Sequence, residues 1–324
     1  MDFKKHKDIF ITSTDYWRFK NFKSNTNIVY PSKLSIILKF INDFLLIPIG
    51  FLLKRKVKEK SIEERSYTSQ NLKDLRNQKL ADFISKYFKK NNVSFEFGDV
   101  LESINKYDEA LKNLIIKNNN GGMGYNNGLI TFIIFRLISP AVSLESGVWK
   151  GFTTYIIDKA TDYTSEIYSF DINLGNLEYR SKKSTYFEGD IEENINFLYK
   201  KNIDIALFDD HVSHYDRISF GLKTNIDFMI ADDDLSVFQI HSDGWPPITT
   251  ASMIFDYENI PHKFNWVNNG KFGEADIERL NYKAITNSYI RIPYPDLFEF
   301  TGYLNASSSS FLINKKKIIN FKCE

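Results

Sequence analysis

Ala141-Val142-Ser143-Leu144-Glu145-Ser146-Gly147-Val148-Trp149-Lys150-Gly151-Phe152-Thr153-Thr154 is the stretch on which the reading of the fold turns. A short apolar run ends in an acid, and two glycines four residues apart lead into an apolar segment of helical spacing. Ala141 to Glu145 reads as a strand and Gly151 to Ala160 as the helix that follows it. Gly147 permits a tight turn and a close approach of a ligand to the main chain. Gly151 lets the helix N-terminus pack against the strand. The wording is neither G-x-G-x-x-G nor the Gly-Lys-Ser/Thr phosphate loop. An acid just ahead of the glycines repels a pyrophosphate and suits a cation or an amino group.

The same phrase recurs along the chain. Successive apolar runs end at Glu145, Asp171, Asp190, Asp209 and Asp232, at intervals of 26, 19, 19 and 23 residues (171−145, 190−171, 209−190, 232−209). Each interval holds one strand, one turn and one helix, which predicts consecutive βαβ units and a mostly parallel sheet covered on both faces. The expected strands after the first are Glu166 to Asp171, Thr185 to Asp190, Ile203 to Asp209 and Phe228 to Asp232. The clearest helices between them are Glu192 to Lys200 and His214 to Thr224. Phe264 to Val267 and Tyr289 to Ile292 are expected to close the edge of the sheet. Upstream, Leu129 to Leu137 reads as an apolar helix stopped by Ser139-Pro140. Residues 118–128, rich in Asn and Gly, read as a long loop, either a mobile lid or ligand-contact loop or a solvated linker. Open parallel sheets bind ligands at the carboxyl ends of their strands, so all five acids should gather on one edge. There Asp171 is placed for ribose hydroxyls and Asp190 for an adenine or its ribose.

Composition narrows the choices. The chain has 324 residues, enough for a full core and one large domain with additions. Its net charge of +1 divides unevenly. Residues 1–60 hold 13 Lys/Arg against 5 Asp/Glu, a net of +8, and the remainder holds 29 against 36, a net of −7. Because the basic excess stays outside the acidic edge, nucleic acid is not expected as a partner. Cys323 is the only cysteine, which rules out an intrachain disulfide or a cysteine zinc site and suits a cytoplasmic setting. Met1-Asp2-Phe3-Lys4-Lys5 leads into no uninterrupted apolar run, so no signal peptide is expected. Leu34 to Leu53 is interrupted by Lys39, Asn42, Asp43 and Pro48. It reads as a buried helix pair broken near Pro48, or as a surface helix whose basic flank, within residues 34–60, touches a membrane peripherally. The N-terminal helices also offer a surface for homo-oligomer formation.

Residues 203–243 carry nine aspartates and no glutamate, with only Arg217 and Lys223 against them. Asp209 and the pair Asp232-Asp233 end neighbouring expected strands, which brings three carboxylates to one point. Like charges that close repel unless protonated or bridged by a cation. Oxygen ligands suit Mg²⁺, or Mn²⁺ where an imidazole joins. His211 follows the first of these acids and can serve as a general base. Asp210 and His214 are the other base candidates, His214 also as a helix cap. Arg217 is expected to pair with Asp210 or Asp216, or to bind an acidic substrate group. His241-Ser242-Asp243-Gly244-Trp245 reads as a surface turn or as part of an acceptor pocket.

The first turn, with Asp171 and Asp190 in step, resembles the class I S-adenosylmethionine-dependent methyltransferases over roughly residues 120–240. Gly-Val-Trp-Lys-Gly-x-Thr-Thr is similar to the metal-dependent macrocin O-methyltransferase and cephalosporin hydroxylase-like branch, although Trp149 stands where many members have glycine. The resemblance implies an α/β, Rossmann-like doubly wound sheet spanning residues 120–324, behind an N-terminal arm and helical region of residues 1–119. It implies S-adenosyl-L-methionine held by Glu145, Gly147, Trp149, Lys150, Gly151, Thr153, Asp171 and Asp190. Asp209, Asp232 and Asp233 would be the ligands of Mg²⁺ (or Mn²⁺), and His211, Asp210 or His214 would remove the acceptor's proton. The acceptor would be a hydroxyl of a small molecule or glycan, a sugar hydroxyl first. Two other functions remain open. One is a glycosyltransferase with a nucleotide sugar and metal at Asp232-Asp233-Asp234; the other is a hydroxylase-like relative that does not methylate.

Overall fold

The computed structural model describes residues 70–116, 119, 121–240, 246–268, 271–278, 280–303 and 308–318. The segments 1–30 and 34–60 and the turn His241 to Trp245 lie outside the described residues. The described chain opens with helices α1 (Gln70–Lys90), α2 (Phe97–Lys112) and α3 (Tyr125–Ile138). α3 is buried from Tyr125 to Phe135, its Asn126, Asn127 and Thr131 included. It stops at Ser139, whose left-handed φ of 48° and N–H to Phe135 O close the helix ahead of Pro140. The expected loop at 118–128 is therefore shorter, because Tyr125 to Gly128 already form the first turn of α3.

The repeating units follow. They are β1 (Val142–Ser146), α4 (Phe152–Ala160), β2 (Glu166–Asp171), β3 (Ser184–Glu188), α5 (Ile195–Leu198), β4 (Ile205–Phe208), α6 (His214–Lys223) and β5 (Phe228–Ala231). The helix expected over Glu192 to Lys200 is a 3₁₀ turn, Ile191–Asn194, capped by Asp190 and continued by the short α5. Then come α7 (Ala251–Phe255), β6 (Lys263–Asn268), β7 (Lys271–Asp276), α8 (Tyr282–Ser288), β8 (Tyr289–Pro293) and β9 (Ser310–Asn314).

Seven strands form one sheet in the order β3-β2-β1-β4-β5-β9-β8. The first five are parallel; β9 is antiparallel to both β5 and β8. The mostly parallel, Rossmann-like expectation is met. Tyr289 to Ile292 lies in the edge strand, as expected. Phe264 to Val267 does not: it belongs to β6, which pairs only with β7 in a separate two-stranded sheet. The strand inserted beside β5 is β9, which is not among the strands expected from the sequence.

Alternation along the strands builds two cores. In β4, Ile205 and Leu207 join the cluster made with α1 to α4, while Ala206 and Phe208 join the cluster made with α5 to α8. Burial on both faces explains why β4 and β5 read as unbroken apolar runs. The register levels their ends: Phe208 is opposite both Ser146 and Ala231. Strand order reverses between β1 and β4, which makes that edge the switch point where a ligand is expected. No described helix is long and apolar enough to cross a membrane.

Candidate functional site

The turn after β1 lies flat against the end of β4. Gly147 has φ +93°, and a Cβ there would sit 2.1 Å from the Asp209 carbonyl oxygen, so only glycine fits. Gly151 has φ +88°, and a Cβ there would sit 2.4 Å from Tyr179 O. Asp171 fastens the turn to β2. Its Oδ2 accepts the N–H groups of Val148 (2.8 Å) and Trp149 (2.7 Å), and its Oδ1 accepts from Asn173 N (2.9 Å).

A cleft of about 450 Å³ opens above this turn, within the size range of small-ligand sites. Its lining includes Ser146, Gly147, Trp149, Asp171, Ile172 and Asp190 together with Asp209, Asp210, His211 and Val212. Among the described lining residues there is no lysine or arginine. Ile172 is 82% exposed and Trp149 41%, so apolar surfaces stand open beside the acids. Of the predicted donor residues, Gly147, Trp149, Asp171 and Asp190 face the cleft. Gly151 and Thr153 lie behind it, Thr153 buried in α4. The Lys150 ammonium pairs with Glu178 at 2.8 Å.

Glu145 points inward. It is fully buried, and its Oε2 accepts from Thr154 Oγ1 (2.6 Å) and Ser169 Oγ (2.7 Å). Burial pushes its pKa up to about 7, against those hydrogen bonds and with help from Asp171 and Asp158. A contact of this carboxylate with a ligand in the cleft, expected from the sequence, is not what the structure provides.

One guanidinium ties two acids together. Arg217, 1% exposed, bonds Asp190 through Nη1 (3.1 Å) and Nη2 (2.5 Å) and Asp210 through Nε (2.8 Å). Burial alone would raise the pKa of Asp190, but Arg217 and the Glu192 N–H outweigh it and hold the carboxyl low. Asp210 also accepts from Val212 N (3.1 Å) and from Ser146 Oγ. The Asp216 partner offered by the sequence is not used; Asp190 takes its place. His214 is buried, and its Nδ1 accepts from Ala251 N (3.1 Å) while its ring also hydrogen-bonds the main chain of Asp232. Burial lowers its pKa. Of the three base candidates, His211 is the most exposed, its side chain 43% open and among the residues lining the cleft.

The acids after β4 and β5 do not act alike. Ligand atoms of Asp209, His211 and Asp233 all lie within 4.8 Å of one another. Burial pushes the Asp209 carboxyl well above its ordinary range, and the charges of Asp232, Asp233 and Asp210 push it further. Asp232 Oδ1 accepts from Ser309 Oγ and from Asn127 Nδ2 (3.4 Å), while its charge still bears on Asp209. Asp234 is buried and held by Arg291 Nε (2.6 Å), Ser252 N (2.5 Å) and Ser310 Oγ. Carboxylates and an imidazole converging where like charges raise each other's proton affinity fit a divalent cation. Sequence reasoning did not single out Ile172, Ser146, Asn127 or Ser309. An apolar residue directly after a strand-ending acid was a usable signal for Ile172; the others carry none.

Strand order, register and cleft define a Rossmann-like α/β protein with a cleft at its switch point. No protein-family model matches the chain, and no curated protein matches it. Among solved structures it is similar to the O-methyltransferase TomG from Streptomyces achromogenes, involved in tomaymycin synthesis and solved in complex with SAM. The identity is 10%, the TM-score 0.38, and the match covers 73% of this chain and 98% of that one. It is similar to the SAH-bound methyltransferase PaMTH1 from Podospora anserina, with 12% identity, TM-score 0.38, and 74% and 97% coverage. It is also similar to the O-methyltransferase from Bacillus cereus in complex with SAH, with 10% identity, TM-score 0.34, and 71% and 97% coverage. At such values the fold assignment rests on this chain's own strand order and register.

Proposed function

We propose that the protein transfers a methyl group from S-adenosylmethionine to a hydroxyl of a small molecule or glycan, with a divalent cation beside the acceptor. One observation carries this reading: a single cleft joins a nucleoside-type half to a cation cluster. Trp149, Asp171, Ile172 and Asp190 supply carboxylates for hydroxyl and amino groups and apolar surface for a base. An acid-lined wall with no basic side chain among its described residues favours a sulfonium and disfavours a diphosphate, which weighs against the nucleotide-sugar alternative. A sugar hydroxyl is our choice of acceptor on the sequence resemblance.

Asp209 and Asp233 would hold the cation, with His211 beside them. When bound there, the cation would acidify an acceptor hydroxyl and fix its position. The chain's own contribution is orientation. Asp171 fixes the turn beneath the donor, and Arg217 holds Asp190 and Asp210 in place. Titration calorimetry with S-adenosylhomocysteine against a uridine-diphosphate sugar tests the donor half. Binding of the first alone, at sub-millimolar concentration, is expected; binding of the sugar nucleotide alone would refute the proposal. Asp209→Ala should abolish metal-dependent turnover with donor affinity nearly kept, and turnover that persists in chelator would show the cation half to be misassigned.

A further inference from the structure

We propose that β3 is a docking edge on which a second copy of this chain pairs antiparallel, joining two sheets into one. β3 is the outermost strand of the seven. Ile167 N donates to Lys183 O (3.0 Å) and Gly189 N donates to Asp171 O (2.9 Å). The main-chain groups of Lys183, Thr185, Phe187 and Gly189 therefore turn towards β2. Such groups alternate sides along a strand, so those of Ser184, Tyr186 and Glu188 face the open edge. Among the described residues, nothing pairs with them there. Open edges in folded proteins are usually blunted by a charge, a proline or a bulge. The middle of β3, Thr185-Tyr186-Phe187, has none of these, and β-branched and aromatic residues favour strand pairing.

Charge identifies the partner. Exposed Arg180, Lys182 and Lys183 precede the strand, and exposed Glu188, Glu192 and Glu193 end or follow it. No ion pair joins any of the six to another described residue. A strand edge that is positive at one end and negative at the other complements its own copy when the two run in opposite directions. A two-fold axis imposes that reversal, because it sets the same patch against itself. Full overlap of β3 places Tyr186 opposite Tyr186 and Ser184 opposite Glu188. It also sets Lys182 diagonal to Glu188 on one face, about 7–8 Å apart between backbones and within reach of long side chains. Because the paired strands are antiparallel, the two clefts open at opposite ends of the joined sheet. Exposed charge pairs are individually weak and screened by salt, so the association should be weak and fall with ionic strength.

The test is sedimentation velocity of the full chain at low salt, from about 1 to about 100 µM protein. The wild-type mass should rise from the 37.9 kDa of one chain towards twice that value. Each Lys182–Glu188 pair occurs twice across the axis. Lys182→Glu and Glu188→Lys should therefore each weaken association by ~5-fold or more. The combined variant, Lys182→Glu with Glu188→Lys, restores opposite charges and should return to within ~3-fold of the wild type. Amide exchange across Ser184–Glu188 should slow as protein concentration rises, since pairing protects the outward N–H groups. Both side chains are exposed, so the variants should melt with the wild type at the lowest concentration. Glu188 Oε2 accepts from Leu174 N at 3.4 Å; should its loss lower the melting point, Lys182→Glu decides the matter alone. A single chain at about 100 µM overturns the inference. So does an association that both single variants leave unchanged, which would place the contact on another surface.

Discussion

Glu145 illustrates how far one residue's chemistry depends on which way it faces. Its position before the glycines suggests a ligand contact, yet Thr154 and Ser169 receive it inside the sheet. A carboxyl whose folded pKa is raised to about 7 binds its proton more tightly folded than unfolded. Its contribution is therefore fully present below the unfolded value and is lost as pH rises towards 7. Between about pH 4.5 and 7 it should cost on the order of 3 kcal/mol. Glu145→Gln keeps both acceptor bonds and should flatten that part of the stability–pH curve, measured by urea unfolding across the range. A curve as steep as the wild type's would place the titration elsewhere.

Arg217 makes a second prediction at the same scale. Arg217→Met removes the cation between Asp190 and Asp210. Breaking a buried pair costs roughly 3–5 kcal/mol, and the lower end is expected because the Asp190 side chain is 32% exposed. Chemical denaturation reads this directly; a loss below about 1 kcal/mol, the size of an exposed pair, would mean the bridge is not formed in solution.

Elements explain what was legible and what was not. The apolar runs and helical spacing of residues 129–232 place β1 to β5, α3, α4 and α6 within a few residues, because parallel strands buried on both faces must be continuous apolar runs. β9 lacked such a signal of position: Ser310-Phe311-Leu312-Ile313-Asn314 is an ordinary apolar run, and only pairing shows that it enters between β5 and β8. It also brings Ser309 to Asp232 and Ser310 to Asp234. Leu312, fully buried in β9, should lose about 2–5 kcal/mol on change to alanine, read from the shift of the urea midpoint. A shift typical of an edge or surface leucine would argue that β9 is not inserted. At the turn after β1, Gly147→Ala should destabilise by about 1–3 kcal/mol, since both its φ and the Asp209 carbonyl exclude a side chain.

For the sheet and its two helical layers taken together, the shared strands decide cooperativity. Ile205 and Leu207 belong to one core and Ala206 and Phe208 to the other, so neither layer can melt and leave β4 intact. Far-ultraviolet and near-ultraviolet circular dichroism should therefore report one coincident thermal transition for this region. Separated midpoints would show the layers to be independent.

The sequence by itself determined the sheet's parallel half, the acid-ended strands and the turn that needs glycine, because burial and backbone sterics act locally and leave a periodic trace. Only the tertiary structure decided what each acid does. Whether a carboxylate points into a cleft (Asp209), clasps a loop (Asp171), pairs with a buried arginine (Asp190, Asp210) or is held by a distant serine (Asp232) depends on partners far away in the chain. Those partners are Arg217, Asn127 and Ser309, and chain folding, not spacing, brings them there.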